Sequence, residues 1–310
     1  VTAYAWWEIA ASNGNKAAAR DKRILDRELT EQQVKAGREL SRILKNPKMM
    51  IPKNQVVIPQ NLMKFKADAD KGDAGAQYMF GLWFYYGQAG LKRDSKEAAG
   101  WLLKAALQKH VEAMRMLALL HRNGGPGQKA DPVESMKWLR KLAETGDAQG
   151  QLLFGMSFVE EVARGGPPKN NKELLRLFPK NKAEAVGWIR KSAVQGCVPA
   201  QYNLGVIYFE GKHLPRDFKK AFLWHSKAAE SGHSDAQANL GAMYFNGDGI
   251  PRDLVKAYVW NSIAGDKRFK DAAAKRMTPE QITKAQELVK EMVKKNPKLL
   301  DRREALGFGS

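Results

Sequence analysis

A single cysteine, Cys197, in 310 residues excludes an internal disulfide and any multi-cysteine metal site, and leaves the redox compartment open. Catalytic signatures are also missing. There is no GxSxG elbow, HExxH, CxxC pair or GxxxxGKS/T loop, and no strand signal to carry a dinucleotide-binding GxGxxG. Long apolar runs are absent. Two uncharged stretches, 74–91 and 192–209, reach the lower length limit of a membrane helix. Gln77, Gly81, Gly87 and Gln88 interrupt the first, and Gln195, Gly196, Pro199 and Asn203 the second, which suits buried helical hairpins better. The N-terminus, Val-Thr-Ala-Tyr-Ala-Trp-Trp, lacks both an initiator Met and the profile of a secretory signal, so it reads as processed or cut from something longer. Acidic residues are the last shortage: Lys and Arg outnumber Asp and Glu 52 to 33, a net charge of +19. Such a charge raises nucleic acid, an acidic membrane surface or an acidic protein as partner. The excess is spread evenly along the chain, so it forms a diffuse field without a basic arm.

What the chain does contain is a period. Trp101, Trp138, Trp188, Trp224 and Trp260 recur in step with Gly81, Ala118, Gly155, Gly205 and Gly241, at spacings near 36 residues except for one longer interval. A repeat of that length with two helix-length apolar patterns predicts a solenoid of helical hairpins, each burying its face against its neighbours. The last unit shows the physics. Ala236, Leu240 and Tyr244 make the apolar stripe of a first helix, and Gly241 offers no side chain where the second helix approaches. Gly247, Gly249 and Pro251 break the helix. Asp253 then caps a second helix carrying Ala257, Trp260 and Ala264, and Gly265 suits the left-handed residue that ends it. Asp94 with Glu97, and Asp131 with Pro132 and Glu134, repeat the cap in phase.

The segments AQYNLGVIYFEGKHLPRDFKKAFLWHSKAAESG and AQANLGAMYFNGDGIPRDLVKAYVWNSIAG closely resemble the Sel-one-like repeat (SLR), a relative of the tetratricopeptide repeat. Ala, Leu-Gly, Tyr, Gly, Asp, Lys-Ala, Trp and Ala match in order, over about 66–268 in five units. The resemblance implies an all-α, right-handed superhelical solenoid. Two units depart from the pattern and are expected to be the least regular. The second has Ala118 and His121 for Gly and Tyr; the third has Phe158 for Tyr and an insertion, 165–181. Four regions follow: 1–45, the tail and capping helices of an upstream array; 46–60, a proline-rich connector; 61–296, the array with C-terminal caps; and 297–310, a tail. Thr278, Pro279 and Gln281 form a capping box in the last cap, as Thr30 and Gln33 do near the start. Because Val1–Gly14 matches only the second helix of a unit, with Tyr4, Trp6 and Trp7 unpartnered, a further first helix is expected before Val1.

The remaining chemistry-bearing residues have structural explanations. Gly124, Gly125 and Gly127 before Lys129 lie in a hairpin turn that the other units also fill with glycine. His121 takes a core Tyr position, and His225 and His233 straddle a helix end, so no metal site or cofactor is expected. Cys197 follows the helix-ending Gly196 and has no paired His or acid in its unit. The resemblance implies a non-enzymatic interaction scaffold or adaptor, with a protein or peptide docked in a concave groove lined by the first helices; some members are immunity proteins against bacterial effectors. By analogy with tetratricopeptide repeats the groove residues are Tyr78, Leu82, Tyr85, Tyr86, Arg115, Leu119, Arg122, Met156, Tyr202, Val206, Phe209 and Phe245, an aromatic and apolar set where a solvated face would be charged. Positive charge suits an acidic partner. The alternative, a nucleic-acid-binding solenoid, needs one basic readout position per repeat, and Arg115 and Arg122 cluster in a single unit.

Overall fold

The computed structural model describes residues 60–163 and 171–300, with helices as the regular elements. The readings for 1–45 and for the connector up to residue 59 lie outside the described residues. Two compact units form, one of residues 60–110 with 125–128, the other of the remaining described residues.

In the first unit α1 (Gln60–Asp70) precedes a hairpin of α2 (Ala74–Tyr86) and α3 (Ser95–Leu107). The second unit holds four more hairpins, the last covered by caps. Their helices are α4 (Val111–Asn123) with α5 (Pro132–Glu144), α6 (Ala148–Ala163) with α8 (Lys182–Val194), α9 (Val198–Glu210) with α10 (Phe218–Glu230), and α11 (Ser234–Asn246) with α12 (Leu254–Ala264). The short α7 (Lys172–Leu177) belongs to the insertion. α13 (Lys267–Ala274), α14 (Pro279–Lys295) and a 3₁₀ turn, Pro297–Leu300, complete the last hairpin's cover. The chain is thus an all-α solenoid of repeated hairpins.

Local chemistry sets each hairpin. Every second helix begins at a short polar residue whose side chain accepts orphan N–H groups of the first turn: Asp94 from Lys96 and Glu97, Asp131 from Val133 and Glu134, Asn181 from Glu184, Asp217 from Lys220, Asp253 from Lys256. Gly247 (φ 84°) ends α11 and Gly265 (φ 77°) ends α12 in the left-handed region, as expected. Thr278 and Gln281 make the full capping box of α14.

In four of the five hairpins the second helix rests its residue following the tryptophan on the repeat glycine. A Cβ built on Gly81 would meet Leu102 at 2.6 Å, on Gly205 the His225 ring at 2.6 Å, and on Gly241 the Asn261 side chain. At Gly155 the obstacles are the Ala185 carbonyl oxygen and Ile189, both at 2.7 Å. Trp101, Trp138, Trp224 and Trp260 are buried beside these contacts. Trp224, for example, packs with Leu204, Ile207, Tyr208 and Met243 from the helices before and after its own. Trp260 packs with Ala228, Ala229, Ala236 and Leu240.

Buried glutamines one position after the motif alanine tie hairpins together. Gln77 donates to Ala69 O (3.0 Å), Gln201 to Ala193 O (3.2 Å), and Gln237 to Ala229 O (3.2 Å) and Leu299 O (2.8 Å). Each reaches a carbonyl in the last turn of a preceding helix, where backbone acceptors have no intrahelical donor.

Two sequence expectations need correction, those for the second hairpin and for residues 297–300. The second hairpin is regular, with two 13-residue helices; only the third departs, α6 having 16 residues and α7 being inserted. The described part of the insertion is docked: Leu174 and Phe178 are buried, Glu173 pairs with Lys137 at 3.0 Å, and Arg140 donates to Arg176 O at 3.4 Å. Residues 297–300, read as tail, are packed, with Leu299 in the core.

Gly155→Ala should cost about 1–3 kcal/mol, because the obstructing atoms include backbone that cannot step aside. Gly187→Ala, at a helical glycine with nothing within 4 Å, should instead stabilise by about 0.5–1 kcal/mol. Urea denaturation of the two variants checks the contrast; equal effects would contradict the close-approach argument.

Candidate functional site

On the first helices α2, α4, α6, α9 and α11 the residues expected to line a groove are all half-buried or exposed. In the first unit α2 buries Ala76, Gln77, Phe80, Gly81 and Trp83, which directs its other residues outward. Tyr85 and Tyr86 meet edge to face at 4.9 Å, and the Arg93 guanidinium lies 5.7 Å from the Tyr85 ring. Tyr86 is 56% exposed. Leu82 is half-buried, and Tyr78 stacks on His110 at 4.8 Å.

In the second unit the predicted residues divide into two groups. Leu119 (41% exposed) and Phe209 (36%) stand at the surface, Phe209 against the edge of Phe218 at 5.3 Å. Val206 is half-buried. Met156, Tyr202 and Phe245 are half-buried against the core clusters. Tyr202 stacks on His233 at 4.3 Å with rings 16° apart, 5.8 Å from His225. It therefore joins hairpins as much as it lines a face. Arg115 and Arg122 each have a carboxylate partner on the next hairpin: Asp147 at 3.4 Å and Glu160 at 3.1 Å. Their charge is therefore largely compensated.

Burial governs the titrations here. His225, 1% exposed, is held down to about pKa 4 by desolvation, assisted by the charge of His233. Burial also lowers His233, with Asp235 opposing, and raises the Tyr202 phenol. His233 caps α11 by accepting from the Ala236 N–H at 3.4 Å.

The structure also reveals a recurring basic position that the sequence reading missed. Three residues after the tryptophan, one turn along the same helix, Lys104, Lys141, Lys191 and Lys227 place their ammonium groups 3.9, 4.5, 4.1 and 4.9 Å from the rings of Trp101, Trp138, Trp188 and Trp224. They lie on second helices, away from the positions above. The last repeat has Ile263 there.

Among the described residues, no group of three or more His, Cys, Asp and Glu side chains gathers as metal ligands, and no helix is long and apolar enough to cross a membrane. A cavity of about 380 Å³ is lined by Tyr258, Ser262, Gln286, Lys267, Lys270 and Lys290 and contains none of the predicted residues.

Repeated hairpins, glycine-mediated contacts and outward faces define an α-solenoid of the tetratricopeptide-like class. Segments 1–15, 74–110, 111–147, 177–197, 198–233 and 234–267 match the Sel1 repeat and cover more than half of the chain, which therefore belongs to the Sel1 repeat family. The unmatched stretch 148–176 contains α6 and most of the insertion. The fold resembles that of c5321, a protective antigen of uropathogenic Escherichia coli strains displaying an SLR fold (TM-score 0.64, 26% identity, 99% of this chain and 67% of that one). It also resembles a Sel1 repeat protein from Oxalobacter formigenes (TM-score 0.57, 28% identity, 67% of this chain and 79% of that one). An F-box protein of Arabidopsis thaliana is 28% identical over 133 residues, 43% of this chain; the match spans about a third of that relative's length, 32%. Sel1 repeat proteins generally mediate protein–protein interaction and are typically non-catalytic scaffolds.

His225 gives the site a pH signature. The unfolded chain protonates this residue below about pH 6.5 and the folded chain only below about 4, so its contribution is complete above the first value and is lost as pH falls toward the second. The loss should amount to roughly 3 kcal/mol. Melting temperatures near pH 7.5 and pH 5 should differ more for the native chain than for His225→Asn, which copies Asn261 of the next hairpin. An undiminished difference in the variant would contradict this.

Proposed function

We propose that this chain is a non-enzymatic scaffold or adaptor that holds a protein or peptide partner on the outward faces of its first helices. The observation that carries the reading is the recurrence of apolar residues at the same two positions of successive first helices. Leu82, Leu119, Met156 and Val206 fill one, and Tyr85, Phe209 and Phe245 fill the other in three of the five hairpins. Leu119 and Phe209 are exposed there, and Tyr86 is exposed beside Tyr85; surface aromatics of this kind supply large contact area with few torsions to freeze. Inhibition of a bacterial effector is one use of such a face. A nucleic-acid partner is disfavoured on these faces, since the recurring lysines lie on the second helices and Arg115 and Arg122 have carboxylate partners.

Affinity capture from the native source identifies the partner, and titration against variants tests the face. Tyr86→Ala and Phe209→Ala should each weaken binding by about 1–3 kcal/mol and leave the melting temperature nearly unchanged, because both residues are exposed. Tyr202→Ala should lower stability as well, through its stack on His233. Full-strength binding by a folded Tyr85→Ala/Tyr86→Ala/Phe209→Ala variant would move the site elsewhere.

A further inference from the structure

Three arginines of the second unit without a carboxylate partner gather at one place. Phe245, at the end of α11, has the Arg252 guanidinium 5.6 Å from its ring centre and that of Arg276 at 4.9 Å. Its edge meets Phe269 at 5.8 Å, and Arg268 lies 5.0 Å from that second ring. The three arginines come from separate segments: the turn before α12, α13, and the turn before α14. All three are exposed, and none forms an ion pair with a described carboxylate. Sharing one ring, Arg252 and Arg276 lie within roughly a Debye length of each other, about 10 Å at 0.1 M salt, so their repulsion is only partly screened. The neighbouring acids are occupied. Asp248 accepts from Asn246, Asp253 caps α12 and pairs with Lys256, Asp266 caps α13, and Asp271 pairs with Lys270.

Contrast Arg115 and Arg122, which the same fold supplies with carboxylates. Three like charges held around two rings form a receptor for anions: each guanidinium offers a planar fork that fits a carboxylate bidentately, and the rings give apolar contact alongside. The motif also recurs. The residue just before the acidic cap is arginine in three hairpins, and Arg93 lies over Tyr85 as Arg252 lies over Phe245, while Arg216 lies over Phe218, the ring in edge contact with Phe209. Arginine beside an aromatic is therefore a property of the hairpin-turn end of the first helices.

We infer that the Arg252, Arg268 and Arg276 cluster around Phe245 and Phe269 binds an acidic segment of a protein partner, one in which Asp or Glu alternates with apolar residues. The carboxylates take the guanidinium forks and the apolar residues take the rings. This rests on the scaffold reading above and adds the chemistry of the occupant.

The test uses the full 310-residue chain and a fluorescein-labelled peptide of repeated Glu-Glu-Leu, followed by anisotropy, with a Gln-Gln-Leu peptide as the neutral match. The native chain should bind the acidic peptide at least about ten-fold more tightly than the neutral one, with affinity falling as salt rises. Arg252→Ala/Arg276→Ala should lose about ten-fold or more, whereas Lys284→Ala/Lys294→Ala, which removes the same charge from exposed positions on α14, should change affinity less than about two-fold. Melting curves establish that both variants fold. No binding of the acidic peptide, equal binding of the two peptides, or equal loss in both variants would overturn the inference, the last by assigning binding to the diffuse field. Displacement by single-stranded DNA at lower concentration than by unlabelled peptide would overturn it in favour of nucleic acid. With a captured partner the two ideas separate. If Tyr86→Ala and Phe209→Ala weaken binding while the arginine pair variant does not, the face stands and the cluster falls; the reverse pattern retains the cluster and removes the face.

Discussion

The rest of the structure depends on the absence of a side chain at one position of four of the five first helices. Where Gly81, Gly155, Gly205 and Gly241 stand, the second helix comes close enough that its Leu102, Ile189, His225 or Asn261 occupies the space a Cβ would need. In the C-terminal hairpins that approach helps place the neighbouring helices, because the tryptophan preceding His225 or Asn261 is then packed among them. Sequence separation within a contact stays short, and stability is a sum over adjacent hairpins rather than the property of one central core. Buried glutamines that bind carbonyls of the preceding hairpin add a polar link in the same direction.

The residues expected to line a groove flank the glycine position along each first helix, and they are tyrosine, phenylalanine or aliphatic in most repeats, with Arg115 and Arg122 on α4. The two electrostatic systems of the second unit are then physically distinct. On α4 and α6 arginines and acids neutralise each other between hairpins. At the end of α11 arginines gather on rings without carboxylates. Long-range attraction of an acidic partner arises from the net charge of +19, and orientation from the uncompensated cluster.

The repeat was legible because glycine, tryptophan and cap residues each follow from a steric or hydrogen-bonding need that recurs with the period. Asp94, Asp131 and Asp253 cap as their spacing implies, and the Thr278 box forms as written. Side-chain partners were not legible. Nothing in the order of residues says that Arg122 meets Glu160, 38 positions away, or that Phe269 brings Arg268 to Phe245, since those meetings depend on how one hairpin stacks on the next. Tyr202 illustrates the same limit: its position is that of an outward residue, and only the neighbouring His233 ring turns it into a packing contact. The lysines over tryptophan were readable in principle, as a Trp-x-x-Lys spacing that puts both residues on one helical face.

Native-state hydrogen exchange of Trp224→Ala tests the central claim of neighbour-dependent stability most directly. The substitution removes a side chain that is 8% exposed and should cost about 3–5 kcal/mol. Protection should fall in α9 to α12, whose helices share its core, and stay near native in α2 and α3. Equal loss of protection across all of these helices would contradict the account, because it would mean that the hairpins unfold as one block.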